Sequence, residues 1–185
     1  MSLEGGDSPQ EGPVALVNRL EIVSVDGEIT LREYVIEDAE EAFALIGRNR
    51  DFLSQNEEPT SINYPMLKSF QESILHPKNP KKKRFAIVNE EEVIVGSINL
   101  TPDETDARVG EIGYYLGEEF QKHGYAVRAI KTLTDYAFQN LGYVRLFGSV
   151  APKNPRSIKA LEKNGYLETA RNHKGRIILT KGRMS

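Results

Sequence analysis

The sequence predicts an α/β fold: a mixed, mostly antiparallel central sheet flanked by helices, with one parallel strand–helix–strand crossover. Three observations lead there. The first hundred residues hold paired β-type runs joined by tight polar turns. The second half alternates short apolar runs with helical patterns, as a parallel crossover requires. Between the halves, the stretch from Glu111 to Ala126 reads as a strand, a glycine-containing loop and a helix start.

Taken in order, residues 1–18 are rich in Gly, Pro, Ser and acids and read as a flexible tail, in part vector-derived. Residues 19–185 read as a single domain. Runs 20–25 and 29–32 flank Asp26-Gly27, a strong hairpin signal. Residues 37–47 are helical, with Ala39, Ala42, Phe43 and Ile46 on one face. Residues 51–65 read as irregular, and 66–75 as a weaker helix. Runs 85–88 and 93–100 flank Glu90-Glu91-Glu92 and form a second hairpin. Residues 112–116 are a strand. Ala126, Ile130, Leu133, Ala137 and Leu141 mark a helix that Gly142 ends. Residues 144–150 are the next strand, and the unit 112–150 is expected to be a right-handed parallel crossover. Asn154-Pro155 supplies an N-cap and a first-turn proline, and Gly165 stops that helix. Short strands at 166–168 and 177–180 close the chain.

Composition narrows the function. A length of 185 residues suits one domain with a real core. A net charge of -3 offers no basic field, so direct nucleic-acid binding is not expected. With no cysteine there are no disulfides, thiolate metal sites or cysteine nucleophile, and three scattered histidines make a poor metal set, so no metal is expected. No apolar run is long enough to span a membrane and no signal peptide is visible, so the expectation is a cytoplasmic protein, monomeric or homodimeric.

A strand that feeds a glycine loop at a helix N-terminus directs free backbone N–H groups and the positive end of the helix dipole at an anion. Gln121-Lys122-His123-Gly124-Tyr125-Ala126 has that form, although a plain turn also accounts for one glycine. Asn154-Pro155 and Gly165, taken singly, are accounted for by helix capping. What capping does not explain is their order: the loop, then Asp135-Tyr-Ala-Phe138, then Asn154-Pro-Arg-Ser157 and Lys163-Asn-Gly-Tyr166. That succession, with Leu31-Arg32, Asp38-Ala39 and Asn49-Arg50 upstream, resembles the GNAT superfamily of N-acetyltransferases. Within it the chain looks like the Rim-type branch, which acetylates ribosomal-protein N-termini. The resemblance covers roughly residues 19–180.

The resemblance implies a GNAT-like sheet and acetyl-coenzyme A (acetyl-CoA) as cosubstrate. It implies that the loop formed by Gln121, Lys122, His123, Gly124, Tyr125 and Ala126 cradles the pyrophosphate. Tyr115 and Leu116 would offer backbone to the pantetheine arm, and Asn154 a side-chain hydrogen bond. Arg128, Lys131, Arg156 and Lys159 are further cations near the loop, each otherwise a solvated surface residue. Glu111 is the candidate general base, its alternative being a solvent-facing strand-end carboxylate. Where many GNAT enzymes carry a tyrosine seven residues after the asparagine, this chain has Leu161. The Rim-type serine, three residues after it, is Ser157, the candidate acid for the leaving thiolate.

The acceptor is expected to be a primary amine, either a protein N-terminus or a small molecule. A lysine-like amine (pKa ~10.4) costs about 4–5 kcal/mol to deprotonate at neutral pH, against about 1 kcal/mol for an N-terminal amine near ~7.8, so a base matters more for the former. The acceptor side departs from the branch: there is no tryptophan, and the closing hairpin lacks a tyrosine. Glu57 and Glu58 read as solvated loop residues, with attraction of a cationic amine as the alternative. A non-catalytic acyl-CoA-binding sensor or partner-binding module therefore stands beside the enzyme reading.

Overall fold

A computed structural model describes residues 19–183; the tail read over residues 1–18 lies outside them. Eight strands form one open sheet in the order β1-β2-β3-β4-β5-β6-β8-β7. They are β1 (Glu21–Val23), β2 (Ile29–Glu33), β3 (Lys83–Asn89), β4 (Ile94–Pro102), β5 (Val109–Leu116), β6 (Arg145–Val150), β7 (Leu167–Arg171) and β8 (Ile177–Gly182). Every neighbouring pair is antiparallel except β5–β6, the expected parallel crossover. The helices are α1 (Ala39–Arg48), α2 (Arg50–Gln55), α3 (Thr60–Asn63), α4 (Leu67–Leu75), α5 (Tyr125–Asn140) and α6 (Pro155–Glu162).

Two apolar clusters cover the two faces of the sheet. On one, Ala129, Ile130, Leu133 and Ala137 of α5 pack with Leu31, Ile87, Ile98, Leu100, Ile112 and Leu146. On the other, Ala42, Leu45, Ile46, Leu53 and Phe70 pack against Ala86, Val88 and Ile94. Burial of such side chains contributes roughly 1.5–3 kcal/mol each. The region read as irregular over 51–65 contains α2 and α3. These are one-turn and two-turn helices, too short to announce themselves by periodicity and held by tertiary packing of Leu53.

Helix α2 ends in a Schellman arrangement: Glu58 N donates to Leu53 O (2.9 Å) and Glu57 N to Ser54 O (3.0 Å). The left-handed position, usually glycine, is Glu57 with φ 57°. Holding a non-glycine residue there costs about 1 kcal/mol. Glu57→Gly is therefore expected to be about 1 kcal/mol more stable than Glu57→Ala in denaturant unfolding, because both lose the carboxylate and only glycine relieves the backbone.

Part of the residue succession behind the family resemblance is architectural. Asn164 is buried, and its side-chain amide donates to Ala160 O (2.9 Å) and Val127 O (3.1 Å), so it sutures the end of α6 to the first turn of α5. The fully buried Tyr166 shares a 2.7 Å hydrogen bond between its hydroxyl and that of Thr134.

Candidate active site

Strand β5 pairs with β6 only at Val109, Gly110 and Glu111. Beyond Glu111 it stays paired with β4 as far as Leu116, so its β6-side edge is free from Ile112 onward. A groove of about 140 Å³ opens in this splay, lined by Ile112 to Leu116 of β5, by Gly148 to Val150 of β6, and by Asn154 and Ser157 of α6. A second cavity adjoins it and shares Leu116, Gln121, Ala126, Arg156 and Ala160.

The adjoining cavity is the anion-suited end. Gly124, with φ 82°, caps α5 without a side-chain hydrogen bond, which leaves the first-turn N–H groups available. A Cβ at Gly124 would meet only the movable end of the Arg128 side chain, so it is the left-handed φ that calls for glycine there. Lys122, Arg156, Lys159 and Lys163 line the walls. Arg128 does not join them. It pairs with Glu28 and donates from Nε to Asp26 Oδ2 at 2.6 Å, and that hydrogen bond holds the Asp26 carboxyl down at about 2. It also donates to His123 O (3.0 Å), tying the loop to the β1–β2 turn. Lys131 is likewise engaged, with Asp135 at 2.7 Å.

The named loop residues divide by role. Gly124, Ala126 and Lys122 face the cavity; Gln121 lines both cavities, but its amide donates to Gly117 O (3.3 Å), holding the loop to the strand end. Tyr125 is also buried in the core, and the His123 ring stacks on it at 5.5 Å, outside the residues that line either cavity. Asn154 accepts from Ser157 N (3.2 Å), the expected cap.

Cross-strand register creates a feature that no single segment shows. Ser97, Asn99 and Thr101 of β4 stand opposite Tyr115, Gly113 and Glu111 of β5. Alternation puts all six on one sheet face, a polar stripe. The other face pairs Ile98 with Tyr114 and Leu100 with Ile112 and carries the α5 core. Ser149, two residues after Phe147, which is paired with Glu111, continues the stripe onto β6. Glu111 sits at the vertex of the splay, half-buried, just outside the residues that line the groove. Burial raises its carboxyl above the ordinary range, while Arg176 and Lys82 oppose that shift.

Above the stripe, the α2–α3 segment brings Phe52, Glu57 and Glu58 into the groove. Both acids read from the sequence as solvated loop residues, with attraction of a cationic amine as the alternative. Glu57 is exposed and bridges Lys153 (3.0 Å) and Arg176 (3.3 Å), whereas Glu58 is half-buried. Arg176 also donates to Ser149 O (2.7 Å) and to Ser149 Oγ (3.0 Å), so it is fixed to β6. Tyr114 carried no signal in the sequence. Its hydroxyl donates to Ser157 O (3.2 Å) within the groove, and burial pushes its phenol up to about 12. Among the described residues no cluster of His, Asp or Glu is disposed to hold a metal, and no helix is long and apolar enough to cross a membrane.

The described chain is thus an open mixed sheet, splayed at its one parallel pair beside a helix N-terminus whose first-turn N–H groups no side chain caps. Residues 28–167 match the acetyltransferase (GNAT) domain model, and the chain belongs to that family of N-acetyltransferases. It is 35% identical over 101 residues to the uncharacterized N-acetyltransferase p20 of Bacillus licheniformis, a match spanning 51% of this chain and 57% of that protein. The fold is similar to that of the ribosomal-protein-S5-alanine acetyltransferase of Vibrio fischeri, with TM-score 0.73, 22% identity, and 84% and 93% of the two chains covered. It is also similar to that of spermidine N-acetyltransferase of Vibrio cholerae in complex with CoA and spermine, with TM-score 0.66, 23% identity, and 83% and 93% covered.

Proposed function

We propose that this protein transfers an acetyl group from acetyl-CoA to a primary amine, by direct attack in a ternary complex. The observation that carries this reading is the groove at the β5–β6 splay, which runs from the cavity at an anion-suited helix N-terminus to the polar groups of Tyr115, Ser149 and Glu58. The cation-lined end suits the phosphates of CoA. The free β5 edge suits an amide-bearing pantetheine arm, with Tyr115 and Leu116 as its backbone partners and Asn154 on the facing helix. The CoA complex of the spermidine N-acetyltransferase supports the same donor.

The chemistry assigns a proton step to each side. Glu111 takes a proton from the acceptor ammonium, through water. The neutral nitrogen attacks the thioester carbonyl, forming the C–N bond, and the C–S bond breaks. Ser157 donates its hydroxyl proton to the departing thiolate and is restored by the second proton that the new amide nitrogen sheds, relayed through water; its hydroxyl is at the start of α6, where the helix dipole favours developing negative charge. Acceptors can be protein N-termini or small amines, since the similar structures belong to enzymes named for each.

The test is release of CoA thiol from acetyl-CoA across N-terminal peptides, polyamines and aminoglycosides. Turnover of at least one amine is expected. Silence across the panel, with acetyl-CoA binding intact by calorimetry, would leave only a non-catalytic binding module. Ser157→Ala is expected to lower kcat by about 10²-fold with little change in KM for acetyl-CoA, the general-acid contribution being typically of that order.

A further inference from the structure

We infer that Glu58 is the acceptor-binding carboxylate, holding the incoming primary ammonium over the polar stripe and selecting cationic amines. This rests on the acetyltransferase reading above and names a residue for its acceptor side.

Glu57 and Glu58 are the two carboxylates that line the groove, and the structure gives them different work. Glu57 is committed: Lys153 and Arg176 occupy both its oxygens. Glu58 is not. Its Oε1 accepts from the Thr60 hydroxyl at 2.6 Å, which orients the carboxylate, and among the described residues no cation lies within ion-pair distance of it. The groove therefore keeps one oriented, half-buried carboxylate that no cation among the described residues pairs directly. A buried charge without a partner is costly, and the ligand that relieves it is a cation with N–H donors.

The surroundings fit such a ligand. Below Glu58 the sheet presents Tyr115 and, across the splay, Ser149, so a bound ammonium can fill its remaining hydrogen bonds. Burial raises the Glu58 carboxyl, while its hydrogen bonds with Thr60 and, more weakly, the charges of Lys82 and Arg176 restrain that rise; Tyr115 from β5 and Glu57 from its own segment are the other titratable groups facing it. Glu57 has a second consequence. By holding Arg176, it keeps that guanidinium from closing on Glu58 in place of substrate.

The experiment measures thiol release from acetyl-CoA with spermidine, alaninamide and hydroxylamine, the last being largely uncharged near neutrality, for wild type, Glu58→Gln and Glu58→Asp. Calorimetry of acetyl-CoA binding, and of spermidine binding to the CoA-saturated protein, accompanies it. Glu58→Gln is expected to raise KM for the cationic acceptors about 10–100-fold, the range of a lost charge-assisted hydrogen bond. Acetyl-CoA affinity and the rate with hydroxylamine should stay within about twofold of wild type, and Glu58→Asp should recover part of the loss. If wild type turns over no amine, the enzyme reading fails, and Glu58 is then judged by spermidine calorimetry alone: loss of binding in Glu58→Gln upholds it. Unchanged KM and unchanged spermidine binding in Glu58→Gln, or no cation binding by the CoA-saturated wild type, overturns it.

Discussion

Glu111→Gln is expected to lower kcat for a high-pKa primary amine by about 10²–10³-fold, and to lower it much less for an N-terminal amine. The difference follows from the proton. A lysine-like ammonium (pKa ~10.4) must give up about 4–5 kcal/mol at neutral pH before it can attack, whereas an α-ammonium near ~7.8 gives up about 1 kcal/mol. Glu111 stands at the vertex of the splay, on the same face as the polar stripe and just outside the groove lining. The sign of the pH dependence is also set. A base must be unprotonated, and burial raises this carboxyl, with Arg176 and Lys82 opposing. The rate should therefore fall as pH falls through a value above the ordinary carboxylate range, and this limb should vanish in Glu111→Gln. Stopped-flow or steady-state thiol release over a pH series checks both points. Equal rates for wild type and Glu111→Gln with a polyamine acceptor would remove Glu111 from the chemistry.

The second large effect concerns the backbone of β5. Gly96 lies opposite Leu116, beside the irregularity in the β3–β4 pairing. A Cβ there would run into the Tyr115 carbonyl oxygen, and would lie 2.7 Å from Leu116 Cδ2 and 3.0 Å from Leu116 Cα. Two of these three obstacles are backbone, which cannot swing aside as a side chain does. Gly96→Ala should thus displace the very residues whose free edge borders the groove. The expected loss is about 3 kcal/mol, at the upper end for overpacking, with a melting temperature lower by roughly 6–12 °C. Acetyl-CoA affinity should fall with it. Thermal unfolding and calorimetry separate the two: a stable Gly96→Ala protein with normal affinity would show that β5 is not held as tightly as its contacts imply.

Much of the fold was legible because its signals are local. The hairpin at Asp26-Gly27, the cap at Asn154-Pro155 and the stop at Gly142 are each set by a residue's own backbone preferences, and each appears where expected. Strand β7 extends further than the 166–168 read for that segment because all its residues are exposed and carry no alternation; pairing with β8 makes it a strand. Helices α2 and α3 were illegible for a related reason, since short helices depend on what they pack against. In the site, Gln121 and Arg128 show the limit of reading chemistry from residue type. Both sit in or beside the loop over residues 121–126, yet their side chains brace it.

By itself the sequence determined the segments of the proposed donor side. The strand, loop and helix start from Glu111 to Ala126 are contiguous, and the α6 start at Asn154 and Ser157 is capped by its own residues, so their geometry follows from nearby covalent connectivity. Only the tertiary structure decided the proposed acceptor side. Its wall and floor come from the end of α2, from β4, β5 and β6, and from Arg176 before β8. Such an assembly depends on strand register and on which charges find partners across the groove, and that is why Glu57 is neutralised while Glu58, its neighbour in the chain, is left facing the groove with its charge unpaired.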